Sequence, residues 1–319
     1  MNFAAAWLTL KHHRFEVGVC LIASLALTVA GIWLNGRLLA FDVPQDCFDA
    51  YAATLGESSV SCDAAVRAFA EFLFDNTAWF DPAMFVLPLA AGTIVGVPIV
   101  GRELESRTAQ TAWYLSPSRS AWLVRQLWPV LLVVGAAVTA AAMSAWMLHT
   151  TRVNAFPPGV FEGLGFYGPL VVARTLMAFG VGLLAGALVG RSLPAWVVAA
   201  IACGVLLIVG ISARQAWLGL QSGEIIEQTE TNSFVRIEDM YRAPDGDLLS
   251  EEQAFALVPP ESAGDAGTWL SNAGYVGVYR GIREITTRAW EPIETAGTAL
   301  AGVALVAATF TTVDRRRPT

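Results

Sequence analysis

The sequence predicts an all-α membrane protein of six transmembrane helices, and three observations predict it. Of its 319 residues, 55% are apolar and only 15% charged, whereas charged residues approach about a quarter of an ordinary soluble domain. The apolar residues gather into six runs, at 17–34, 83–100, 127–148, 169–190, 193–211 and 295–313, each close to the roughly 20 residues a helix needs to cross hydrocarbon. Only Arg174 puts a charge well inside one of these runs. Lipid cannot satisfy an open backbone, so such runs are expected to be helices.

The elements follow in order. Residues 1–16 carry Phe3, Trp7, Leu8 and Leu10 among small residues, ahead of Lys11, His12, His13 and Arg14. That pattern predicts an amphipathic helix lying in the membrane interface. The first apolar run is too long for a signal-peptide core and leads into Asn35, Gly36 and Arg37 with no small-residue cleavage site, so it is read as a mature span. Residues 17–211 hold spans one to five, with connections at 35–81 and 101–120; residues 212–292 form a small folded insertion, and 293–319 the sixth span and its tail.

Charge orients this chain. Lys11 and Arg14, then Arg102, Arg107 and Arg119, then Arg191, then Arg315, Arg316 and Arg317 fall on one side of six alternating spans. The positive-inside rule makes that side cytoplasmic, with both termini on it. The two longer connections face outward, and both are acidic. Residues 35–81 hold eight acids against Arg37 and Arg67, 2 − 8 = −6, and residues 212–292 hold thirteen acids against six arginines, 6 − 13 = −7. Solubility of exposed segments explains such acidity; attraction of a cationic substrate is the alternative. Cys20 and Cys203 lie within spans as apolar fillers. Cys47 and Cys62 share the first outer connection, where an oxidising compartment permits a disulfide.

In the insertion, Phe234, Val235 and Ile237 lead to the turn set Pro244, Asp245, Gly246 and Asp247, after which Ser250 and Gln253 make a helix-capping pair. Val278, Ile282, Ile285 and Trp290 recur near helical spacing, with Arg280, Arg283, Glu284 and Arg288 between them. They predict an amphipathic helix feeding the last span.

The chemistry of catalysis is sparse. His12, His13 and His149 are the only histidines and none has metal-ligand spacing, so no metal is expected. Lys11 is the only lysine and is followed by His12, which excludes the Gly-rich, lysine-bearing loop that cradles nucleotide phosphates. Glu16 and Glu294 sit only at span edges, which weakens a proton or sodium relay. The chain is therefore expected to be no enzyme itself and to bind no cofactor or nucleic acid.

One connection carries more information. Residues 101–119 predict a short helix followed by a stop, with Leu104, Thr108, Thr111, Ala112 and Leu115 on one face and Glu103, Arg107 and Gln110 on the other. This stretch resembles the first cytoplasmic loop of ATP-binding-cassette exporter permeases of the second type. The resemblance rests on Arg102, Glu103, Glu105, Thr108, Pro117, Ser118 and Arg119; where the family has a glycine before the threonine, Arg107 stands here. The order of parts is also similar: an interfacial N-terminal helix, six spans, a large outer insertion before the last, and an arginine-rich tail. The resemblance implies a coupling helix seated on a separate ATPase, with Arg102, Glu103, Glu105, Arg107, Thr108, Trp113, Ser118 and Arg119 as its contact residues. It further implies two P-loop ATPase subunits carrying ATP and magnesium, and a second permease subunit, a copy of this chain before a relative. The expected setting is a bacterial plasma membrane, and the expected cargo an amphipathic or hydrophobic drug, peptide antibiotic or lipid. A secondary transporter, and a signalling or assembly scaffold with an extracellular ligand-binding cap, are the alternative readings.

Arg174, about five residues into its span, is either a substrate-path residue or an interfacial anchor, with Glu162 the nearest acid in sequence. Gly180, Gly182, Gly186 and Gly190 in the same span permit close helix approach, within one chain or between two. Pro88, Pro98 and Pro129 are candidate kinks.

Overall fold

A computed structural model describes residues 3–48, 60–114, 116–155, 164–220, 223–227, 234–260, 266–283 and 289–316. The chain forms two compact units. The larger holds α1 (Phe3–His12), α2 (Arg14–Leu39), α3 (Val60–Thr77), α4 (Phe80–Glu105), α5 (Thr108–Tyr114), α6 (Arg119–Ala155), α7 (Gly168–Val189), and most of α8 (Ser192–Gly219) and α11 (Trp290–Arg315). Six stretches among the described residues are helical and apolar enough to cross a membrane: α2, α3 with α4, α6, α7, α8 and α11. The helices overrun the apolar runs. α4 begins three residues before its run and continues five beyond it, and α6 reaches Ala155, because polar residues at a span's ends extend a helix into the headgroup region without cost to the hydrocarbon.

α7 is the axis of the bundle: its apolar window is 83% buried, against 17% for α8 and for α11. Its seam with α4 is made by missing side chains. A Cβ on Gly92 would lie 2.6 Å from Phe179 N, one on Gly96 2.6 Å from Phe179 O, and one on Gly186 2.6 Å from Val97 O. The two backbones touch at Gly92, Gly96 and Gly101 of α4 and Gly182 and Gly186 of α7, the close approach that small residues at spacings of four allow. The glycine stripe is thus consumed within the chain. Gly180 faces Gly302 of α11 instead, and Gly190 ends α7 in the left-handed conformation, φ +69°, where a helix C-terminus favours glycine.

Beyond α4 and α7, Phe41, Phe48, Phe69, Phe72 and Trp33 form an aromatic cluster joining the C-terminal part of α2 to α3. Beside it a disulfide links Cys47 to Cys62, their Cα atoms 5.3 Å apart.

The second unit centres on the segment between α8 and α11 and is built on a four-stranded sheet. β1 (Glu224–Glu227), β2 (Phe234–Arg242), β3 (Leu248–Ser250) and β4 (Val276–Arg283) pair antiparallel in the order β1-β4-β2-β3, with α9 (Glu251–Phe255) and α10 (Ala266–Asn272) alongside. Gly246, at φ +94°, closes the β2–β3 turn. Ser250 and Gln253 form the reciprocal capping box at α9. Met240, Ala254, Leu270, Val278, Tyr279 and Ile282 make the core. This corrects two expectations. The chain is not wholly α-helical, and residues 278–283, expected as the start of an amphipathic helix, lie in β4. Val276, Val278, Tyr279 and Ile282 are β-branched or aromatic and favour a pleated, half-buried surface, and apolar runs this short do not distinguish the two periods. Residues 284–288 lie outside the described residues.

Candidate functional site

Contacts between helix ends show which termini meet. At one end, here the loop end, α2 begins, α4 finishes, α5 lies, α6 and α8 begin, and α7 and α11 finish. At the other, the insertion end, Thr151 Oγ1 of α6 donates to Asn35 Oδ1 of α2 at 2.7 Å, and Arg152 of α6 holds both oxygens of Asp81 on α4 at 3.0 and 2.9 Å.

The predicted site residues converge on the loop end, but not as one helix. α4 continues through Glu105; Ser106 and Arg107 then form a turn, with Arg107 at φ +59°, and α5 starts at Thr108. The single amphipathic helix expected over 101–119 is therefore two pieces joined at a left-handed residue, a conformation that costs any residue with a Cβ about 1–2 kcal/mol. The glycine of the related loop is absent, yet the backbone conformation that glycine suits is present. Leu115 and the side chains of Gln110 and Ala112 lie outside the described residues.

Each acid of this stretch is tied to the chain itself. Glu103 accepts a hydrogen bond from Thr108 Oγ1 at 2.5 Å, bracing the turn, and lies 3.1 Å from His12 Nε2, an ion pair whenever that ring is protonated. Glu105 accepts both the backbone N–H and the hydroxyl of Ser192, at 3.0 and 2.6 Å. It thereby caps the N-terminus of α8, where a carboxylate also meets the positive end of the helix dipole. Arg102 pairs with Glu16 of α2 at 3.3 Å. Ser118 Oγ accepts from Ala121 N at 3.0 Å and caps α6.

Arg119 reaches furthest. Its guanidinium stands 4.6 Å over the Trp113 ring and donates to the carbonyls of Val313 at 3.3 Å, Asp314 at 3.0 Å and Arg316. It satisfies the orphan carbonyls that end α11. Ser120 Oγ adds bonds to both Asp314 carboxylate oxygens at 3.0 and 2.8 Å, and Arg316 donates to Ala187 O at the end of α7. None of the tail contacts is visible from spacing, since Arg119 and Asp314 are 195 positions apart.

His13, between α1 and α2, is 1% exposed, and neither ring nitrogen has a hydrogen-bond partner among the described residues. Burial pushes its pKa down to about 4, aided by the neighbouring charges of His12 and Arg102 and opposed by Glu103. It is neutral at physiological pH.

Arg174 lies at the insertion end. Its guanidinium is buried, 3.2 Å from the equally buried Glu294 of α11, donates to Gly165 O at 3.1 Å and stands 5.7 Å over the Phe85 ring. Glu294, which the sequence places at a span edge, is its partner; Glu162 lies outside the described residues. Gly165 has φ +92°, and a Cβ there would meet Arg174 Nη1 at 2.0 Å, so glycine makes the seat. No cluster of three metal-ligating side chains occurs among the described residues.

Six apolar helices of spanning length, knit at their ends by polar contacts, define a multi-pass membrane protein. The sequence matches the family described as ABC-2 membrane transporter related over residues 19–214, more than half of the chain, and the chain belongs to that family. It is accordingly a permease component of an ABC transporter, not the ATPase, and associates with an ATPase subunit. Comparison with curated proteins and with solved structures finds no significant match. The matched segment runs from α2 into α8 and leaves out α11.

Proposed function

We propose that this chain is the membrane half of an ATP-driven exporter in a plasma membrane, with its loop end in the cytosol and both outer segments outside. Two cytosolic P-loop ATPases, carrying ATP and magnesium, act on α5 of two copies of this chain. Closure of the ATPases moves the loop end and switches the bundle from inward to outward opening, carrying an amphipathic or hydrophobic cargo such as a drug, a peptide antibiotic or a lipid. What supports the reading is that the stretch resembling a coupling loop stands where the ends of α2, α4, α6, α8 and α11 are joined. A push there reaches every one of them.

Because Glu103 and Glu105 are engaged inside the chain, the contact face offered to the ATPase is what remains outward: Arg107, Thr111 and Tyr114, the last 84% exposed. Tyrosine and arginine dominate binding energy at interfaces. Tyr114→Ala in the co-purified complex is expected to weaken ATPase stimulation about tenfold while the isolated chain melts as wild type. A stoichiometric complex with unchanged stimulation would remove α5 as the contact. An intact chain that brings down no ATPase would instead favour a scaffold whose acidic, separately folded second unit binds a ligand.

A further inference from the structure

We propose that α11 is a lever that links the loop end to the insertion end, with Arg119 and Ser120 as positioning residues at one tip and Arg174 at the other. This rests on the reading of the loop end as the place where the ATPase acts, and it concerns the helix that lies outside the matched segment of the family.

Three observations carry it. First, α11 is polar-pinned at both tips. At the loop end Arg119 and Ser120 hold its last carbonyls and the Asp314 carboxylate; at the insertion end Glu294 is held by Arg174. Glu294 and Asp314 are 20 positions apart, about 30 Å along a helix and so about the thickness of the hydrocarbon layer. Second, between the tips the helix is held along one face only, by Gly302, Leu305 and Thr309, and its other face is open. Leu300 and Val303 face outward, and only 17% of its apolar window is buried. Third, it crosses α7 at one tight point. A Cβ on Gly302 would lie 2.8 Å from Met177 N, and one on Gly180 2.8 Å from Gly302 O. A stiff rod held along one face, crossing α7 backbone to backbone and gripped at both tips, can pivot at that crossing and carry a displacement of one tip to the other.

The Arg119 grip sits on the Trp113 ring of α5, so motion of the coupling helix is applied to the lever directly. The Arg174 grip is buried. A buried pair is poor evidence for stability, because removing both charges often costs nothing, but a pair with one geometry is a good register for a two-state element. Arg174 is thus neither a substrate ligand nor an interfacial anchor in this proposal: it holds the outer tip of α11 against Gly165 and Phe85 of the bundle.

The test is backbone hydrogen exchange of the full chain in nanodiscs, without ATPase. Glu294→Gln is expected to speed exchange in residues 106–120, at the opposite end, roughly fivefold or more, the low end of typical coupling between sites. Arg119→Ala is expected to do the same reciprocally around 165–175. Glu294→Asp, which keeps the charge that Arg174 pairs, stays closer to the wild-type pattern than Glu294→Gln, and Leu300→Ala on the exposed shaft changes nothing. Exchange that rises only near residue 294, or uniformly over the whole bundle including the α4–α7 seam, overturns the lever. If the isolated chain behaves as expected but brings down no ATPase, the lever stands and the transport reading falls; if the complex forms and exchange stays local, the reverse holds.

Discussion

Arg107 supplies a test in which stability and coupling move in opposite directions. Its φ of +59° is imposed from both sides: its N–H bonds to Leu104 O at 3.2 Å, and Thr108 Oγ1 reaches back to the Glu103 carboxylate and to Ser106 Oγ, at 2.5 and 2.7 Å. A residue with a Cβ loses about 1–2 kcal/mol in that conformation. Glycine recovers this loss but surrenders about 0.5–1 kcal/mol through the freedom it gains in the unfolded chain. Arg107→Gly is therefore expected to stabilise by about 0.75 kcal/mol, within bounds of roughly 0 and 1.5, a rise of about 2–3 °C in Tm for a chain of this size. Arg107→Ala keeps the strain and should leave Tm unchanged. Scanning fluorimetry of the solubilised chain reads both. In the complex with its ATPase, both variants lack the guanidinium and both lower ATP-driven transport. A fall in Tm for Arg107→Gly, or a rise for Arg107→Ala equal to that of glycine, would refute the left-handed turn and with it the division of this stretch into two helices.

Two further predictions concern the bundle. Gly186→Ala forces a methyl to within 2.6 Å of Val97 O, a backbone atom that cannot rotate away, so α4 and α7 must part, stability falls by an overpacking cost of about 1–3 kcal/mol and Tm falls with it; Gly135→Ala, with open space at its Cβ position, is the matched control and stays near wild type. His13 makes the chain acid-labile: above its unfolded pKa near 6.5 both states are neutral, and as pH falls toward about 4 only the unfolded state gains the proton. Stability is then lost across that window by up to roughly 3 kcal/mol, and His13→Leu should flatten this limb of a Tm-against-pH curve measured from pH 7 to 4.5; an unchanged limb would place the acid sensitivity elsewhere.

The spans were legible because the membrane imposes one simple rule, a run of apolar residues long enough to cross it, and residues such as Val17 to Leu34 obey it without help from distant partners. The capping box at Ser250 and Gln253 was legible for the same reason: it is local. What sequence could not supply is pairing at a distance. Arg174 and Glu294 are 120 positions apart, Glu105 and Ser192 are 87 apart, and nothing in either neighbourhood announces the other. A buried arginine does demand a carboxylate somewhere, and the short supply of acids near the spans, Glu16 and Glu294, was the one signal that could have found its partner. The second unit misled because Val278 and Ile282 stand four apart in a strand whose β2 partner carries a register shift between Arg236 and Glu238, and four is also a helical spacing.

The acids on which the family resemblance rests also make contacts within the chain at the loop end. Each is exposed or partly so, and surface ion pairs and hydrogen bonds hold little individually. Their effect is geometric: Glu103 joins α4 to the α1–α2 junction and to α5, Glu105 joins α4 to α8, and Arg119 joins α5 and α6 to α11. The α4–α7 seam resists sliding, since its contacts are backbone against backbone and a shift would bring flanking side chains to positions where even a Cβ has no room. Displacement applied at α5 must therefore appear in the helices that are only lightly packed, α8 and α11, and these are the two that lead into and out of the second unit.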